Sequence, residues 1–235
     1  MERSNNMNKI FNRKSLYIML TLFVFSLAVT FIDAFVHPPY FLKIPIKILF
    51  FLVLPLCYFL INKEAMPDFK SLFRFKKKGL LLSLGLGLGI YAVVVGGFFL
   101  TRGIFDYSNV TKSLTEGMGI TKDNYIYVAL YISFMNSFLE EFFFRGFGFI
   151  LMKKYTCRIF AYIFSPILFA FYHVGMTASM FEPVLLVLIL LGLVLGGFIF
   201  NYLNEKNENI YSSWFTHMFA NFAMHTVGFI LFSAT

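Results

Sequence analysis

The sequence predicts an all-α polytopic membrane protein, a bundle of about seven (six to eight) transmembrane helices with its N-terminus in the cytoplasm. Three observations carry that reading. Of the 235 residues, 59% are hydrophobic and only 14% charged, and mean hydropathy is +0.75; a soluble domain is nearer half apolar and a quarter charged. The apolar residues fall into seven runs, each at or near the ~20 residues that cross a bilayer. The basic residues gather at the ends of those runs. That is the positive-inside pattern, and it argues against a nucleic-acid surface despite a net charge of +8.

The runs are 16–36, 41–62, 79–101, 125–152, 158–177, 183–202 and 210–232. The first follows a tail bearing Arg3, Lys9, Arg13 and Lys14, which imitates a signal peptide. No small-residue cleavage site follows it; the run ends at Asp33 and His37-Pro38-Pro39, so it is expected to remain as a span. His37 is read as a loop residue. Between the second and third runs, the 63–78 loop holds Lys76-Lys77-Lys78. Its charge is explained by topology, with attraction to anionic lipid as a secondary reading. A broken helix or an interfacial 103–124 segment would change the span count from seven.

Lys and Arg set the orientation. With the N-terminus inside, 14 lie on the inner side and 5 on the outer side, the latter including Lys43 and Lys47 as span-end residues. The C-terminus is then outside. Gly85-x3-Gly89 and Gly192-x3-Gly196 have the spacing of close helix packing. Cys57 and Cys157 lack disulfide or metal-ligand spacing and are read as reduced structural thiols. No internal repeat of the transporter kind is present. The chain is one integral-membrane domain, 1–235, with N-terminal spans in 1–124 and a core in 125–225.

Three motifs place ionisable residues inside apolar runs: Glu140-Glu141-x3-Arg145, Phe169-x3-His173 and His217-x3-Asn221. An ionisable side chain at membrane depth is a functional-site hypothesis by default. Their depths agree. Counting 1.5 Å per residue from the inner face, Glu140 lies at ~20 Å, His173 at ~22 Å, and His217 and Asn221 at ~10 and ~16 Å. With ordinary tilt these overlap. Glu141 and Arg145 are i,i+4 with the acid first, the favourable order for an ion pair. Glu140 is turned ~100° away and is left free to handle a proton. Phe169 sits one turn before His173 and can wall its ring. His217 and Asn221 share a face and can offer N–H donors to one point, as a developing oxyanion needs. His225, one turn further out, is read as a packing or interfacial residue. Taken singly, each motif has a structural explanation, as interhelical glue or a histidine bonded to a carbonyl. Their matched depth favours a single catalytic site.

In this order and setting the trio resembles the CAAX-protease and bacteriocin-processing (CPBP, or Abi) family of membrane endopeptidases. The resemblance spans about 125–225 and includes Gly192, Gly196, Gly197 and Trp214. It implies that Glu140 and His173 activate a water. It further implies that His217 and Asn221 stabilise the oxyanion while Glu141, Arg145 and Phe169 support the site. It leaves metal open, since two histidines and a glutamate suit zinc. The expected ligands come from three helices without a local His-Glu-x2-His pattern, so the metal-free mechanism, with no cofactor, is favoured. The partners expected are a peptide or membrane-protein substrate and the lipid bilayer; the oligomeric state is left open. Abundant Phe, Ile, Lys and Asn suit a low-GC bacterium, whose plasma membrane is the expected location. Two rivals are a non-catalytic scaffold or bacteriocin-immunity protein, and a proton-coupled transporter.

Overall fold

Apolar helices joined by short polar turns leave little freedom of architecture, and a computed structural model gives the arrangement for residues 12–77 and 79–234. Arg3, Lys9 and Lys78, counted among the basic residues above, lie outside the described residues. Among the described residues there is no strand, and the helices are nine. They are α1 (Arg13–Val36), α2 (Tyr40–Ile61), α3 (Met66–Leu72), α4 (Leu80–Thr101), α5 (108–117), α6 (125–155), α7 (Arg158–Thr177), α8 (Pro183–Asn207) and α9 (Tyr211–Ala234).

Six of these, α1, α2, α4, α7, α8 and α9, are long and apolar enough to cross a membrane. The remaining long helix, α6, is the fourth run of the sequence. It carries Glu140, Glu141 and Arg145 in its middle turns, which lower its apolar character. The chain is a multi-pass membrane protein, and its outward faces agree. Leu81, Val93 and Leu100 on α4 and Val184, Leu191 and Leu195 on α8 are exposed, as lipid-solvated helices require.

Local chemistry sets the helix ends. Asn12 caps α1, its side-chain oxygen accepting from the N–H groups of Lys14 and Ser15. That helix stops at His37, which is left-handed at φ 46°, and Pro38-Pro39 cannot continue it. Pro183 opens α8 at a position where its missing N–H costs nothing.

Ion pairs tie one end of the bundle together: Lys14 to Glu64, Lys154 to Asp68 at 2.6 Å, Lys76 to Glu208 at 2.6 Å, and Arg158 to Glu205 at 2.7 Å. All are partly exposed, so each contributes little singly. They gather the basic turns onto one face. The opposite end is joined by Glu182, which accepts from the Asp106 N–H, and by Ser113, which donates to the Ser179 carbonyl.

The interior is built of aromatic rings around α6, which is buried without interruption from Glu141 to Phe149. Phe143 stacks on Phe51 of α2 at 4.3 Å and 5°. Phe144 meets Phe169 of α7 edge-on at 5.3 Å. In lipid such packing, rather than water exclusion, draws helices together. Residues 132–136 and 141–150 are wound with i→i+5 hydrogen bonds, as are 32–36, 49–53 and 113–117.

Close approach is set by other glycines than the spacing suggested. Gly85, Gly89, Gly192 and Gly196 have no neighbour where a Cβ would stand, so neither pair is a packing seam. Gly197 is one. A Cβ there would come within 2.9 Å of the Pro166 Cα and 3.3 Å of an Arg145 Nη2. Its lack of a side chain lets α8 close on α7 and on the arginine of α6. Gly175 does the same for α7 against the Thr30 carbonyl of α1. Cys57 is exposed and Cys157 half-buried, both as free thiols.

Candidate active site

Helix α6 brings the two glutamates into the centre of the bundle, where α2, α7, α8 and α9 surround them. Glu141 and Arg145 are fully buried, with Nη1 to Oε1 at 3.4 Å. The same Glu141 oxygen receives His217 Nδ1 at 3.0 Å, a contact between α6 and α9 that the sequence reading did not include. The Arg145 guanidinium lies 4.2 Å from the Phe169 ring centroid and 4.9 Å from that of Phe200. Cation–π contact in a site this dry is a substantial attraction. Glu141 and Arg145 therefore knit α6 to α7, α8 and α9 at once.

Glu140, one residue earlier, is 2% exposed and has a separate set of neighbours. Its Oε1 accepts from Asn136 Nδ2 at 2.6 Å and from the Tyr172 hydroxyl at 3.0 Å. Its Oε2 faces His217 Nε2 at 3.6 Å, beyond direct hydrogen bonding. Lys47 of α2 stands 3.9 Å from Oε1.

His217 thus lies between the two carboxylates. Its ring stacks on Phe200 at 5.0 Å and 21°, and Phe169 meets it edge-on at 5.7 Å. His173 is half-buried on α7, and its Nδ1 contacts the Phe169 carbonyl at 2.8 Å. A carbonyl only accepts, so Nδ1 carries the proton and Nε2 of the neutral ring is left with its lone pair. Phe169 and Tyr172 both meet the His173 ring at 4.7 Å. Asn221, also half-buried, donates one amide N–H to the Ile132 carbonyl at 3.1 Å. The second N–H of that amide is not spent there. Trp214, one turn before His217, pins α9 to α6 by donating to the Phe134 carbonyl at 2.9 Å. His225 pairs with the Tyr125 hydroxyl at 3.2 Å, away from the glutamates.

Lys43 and Lys47, counted above as residues at the outer ends of spans, are buried at 5% and 6% exposure. Lys43 is paired with Asp33 at 2.7 Å, and Lys47 reaches Glu140. An apolar environment tolerates a lysine when a carboxylate compensates it. Helix α2 thus brings a side chain, Lys47, to Glu140. Asn136 and Tyr172 were missed too. Asn136 is i,i+4 from Glu140, and Tyr172 adjoins His173, so spacing could have found both.

Among the described residues, no three His, Cys, Asp or Glu side chains are grouped to hold a metal ion. His173 has Nδ1 on a backbone carbonyl and His217 has Nδ1 on Glu141, the bonds by which a metal-ligating histidine is also commonly oriented.

Residues 122–223 match the family model described as type II CAAX prenyl endopeptidase Rce1-like. No curated protein and no solved structure gives a significant match. The matched segment contains all three motifs and nearly coincides with the 125–225 core. Over that segment the chain is similar to a family of CAAX prenyl endopeptidases.

Proposed function

We propose that this protein is an intramembrane endopeptidase that hydrolyses a peptide bond in a membrane-associated peptide or protein tail. The observation that carries the proposal is Glu140: a buried carboxylate with one oxygen fixed by two donors and the other turned toward an imidazole. Glu140 Oε2, assisted by His173, takes a proton from water. The water oxygen then attacks the scissile carbonyl carbon, and charge develops on the carbonyl oxygen. Asn221 meets that oxygen with its second N–H. His217 meets it through Nε2 when the ring carries both protons, while Nδ1 stays on Glu141. Collapse breaks the C–N bond, and the proton held by Glu140 passes to the leaving amine. Glu141, Arg145 and Phe169 hold this geometry. The route is taken as metal-free because candidate ligands would come from three separate helices without a local His-Glu-x2-His pattern.

The gathering of basic turns at one end supports a cytoplasmic N-terminus, which makes substrate entry from the bilayer or the cytoplasmic side the preferred route. The abundance of Phe, Ile, Lys and Asn is the support for a bacterial plasma membrane as its location. A prenylated tail, a peptide pheromone or a bacteriocin leader would each supply an extended segment at that depth.

The test uses full-length protein in liposomes, given a panel of quenched fluorescent peptides that includes farnesylated CAAX tails and acylated leader peptides. In ¹⁸O-enriched water, mass spectrometry is expected to find one new C-terminus carrying the label. Dialysis against a chelator is expected to leave turnover unchanged. An intact panel contradicts the peptidase reading; loss on chelation with recovery on adding zinc contradicts the metal-free route.

A further inference from the structure

The two oxygens of Glu140 are not equivalent, and the difference traces to a helix outside the matched segment 122–223. Lys47 of α2 donates to Asn136 Oδ1 at 3.1 Å. Its Nζ also lies 5.2 Å from the centroid of the Tyr172 ring. Asn136 and Tyr172 are the two residues that donate to Glu140 Oε1. The ammonium therefore touches both groups that hold the carboxylate, and stands 3.9 Å from the carboxylate itself.

This arrangement has a definite sense. An ammonium has only donors and a carboxylate only acceptors. The amide of Asn136 between them must turn its oxygen to Lys47 and its nitrogen to Glu140, as it does. Lys47 thus sets the amide orientation that fixes Oε1. Charge is matched locally as well. Asp33 takes Lys43 at 2.7 Å and Glu141 takes Arg145 at 3.4 Å. That leaves Lys47 as the lysine or arginine paired with Glu140 among the described residues. A buried carboxylate left without its partner is costly, so this pairing is a strong constraint.

We infer that Lys47 is a positioning residue for the proposed peptidase, anchoring Oε1 of Glu140 through Asn136 and Tyr172 so that Oε2 is the oxygen offered to water. The inference rests on the peptidase reading. Lys47 acts through Glu140 and does not itself meet substrate, so its loss falls on kcat and leaves KM in place.

The experiment compares full-length wild type, Lys47→Met, Lys47→Gln, Lys47→Arg and Glu140→Gln in liposomes. The probe is a farnesylated CAAX peptide or, if that is not cleaved, the member of the panel that is. The expected result is a kcat lowered ~10-fold or more in both neutral variants, within the range of general acid–base contributions. KM should stay within about twofold, and Lys47→Arg should recover most of the turnover because it restores the cation. A folded neutral variant at wild-type kcat overturns the inference. So does failure of both neutral variants to fold, which would make Lys47 a residue of assembly rather than of the site. Equal turnover in wild type and Glu140→Gln is a different failure, since it removes the peptidase reading itself.

Discussion

Arg145→Ala is expected to cost ~3–5 kcal/mol of stability, the range found when one partner of a buried ion pair is removed. The side chain is fully buried, paired with Glu141, and in contact with the rings of Phe169 and Phe200. Removing it strands the Glu141 charge with His217 as its remaining polar partner among the described residues, and empties the space between α6, α7 and α8. For a chain of this size each kcal/mol moves Tm by about 2–4 °C, so the apparent melting temperature in detergent should fall by roughly 6–20 °C. Arg145→Lys keeps the charge but loses the planar group that lies on the rings, and should melt between the two. An alanine variant that melts with the wild type would show that Glu141–Arg145 is not what knits the helices.

His217→Ala is expected to lower kcat ~10²–10³-fold, the loss seen when one oxyanion donor is removed. Two carboxylates depend on this ring, through Nδ1 at 3.0 Å and Nε2 at 3.6 Å. The paired control is His225→Ala on the same helix. Its ring contacts Tyr125 rather than the glutamates, so turnover should stay near wild type. If the two variants lose activity equally, position on α9 rather than chemistry at His217 would account for the effect.

The membrane class and the long helices were legible because lipid demands long apolar runs, and such runs are hard to mistake. The glutamates, His173 and His217 were legible for the converse reason: an ionisable residue is conspicuous in an apolar setting. Lys47 was hidden by the same logic. A lysine near a span end reads as a topological marker, and only packing reveals that α2 turns it inward to Glu140. The i→i+5 winding of 141–150 leaves no mark in residue spacing, yet Arg145 still reaches Glu141. Glycine spacing misled for a related reason. It reports which residues share a face of one helix, whereas close approach depends on what the neighbouring helix presents. Gly197 faces Pro166 and Arg145; Gly192 and Gly196 face nothing within reach. The link from Glu141 to His217 joins residues 76 positions apart and could come only from the fold.

The central claim is that Glu140 is the base of a peptidase. Its most direct test compares the membrane and secreted peptidomes of cells carrying wild type with those of cells carrying Glu140→Gln at matched expression. Glutamine keeps the size of the side chain and the acceptor for Asn136 and Tyr172, but it cannot take the proton. Specific peptide termini present with wild type should vanish with Glu140→Gln, and their sequences would identify the substrate class. Identical peptidomes, in cells where deleting the protein still has a phenotype, would contradict the claim and leave a non-catalytic membrane scaffold as the function of this fold.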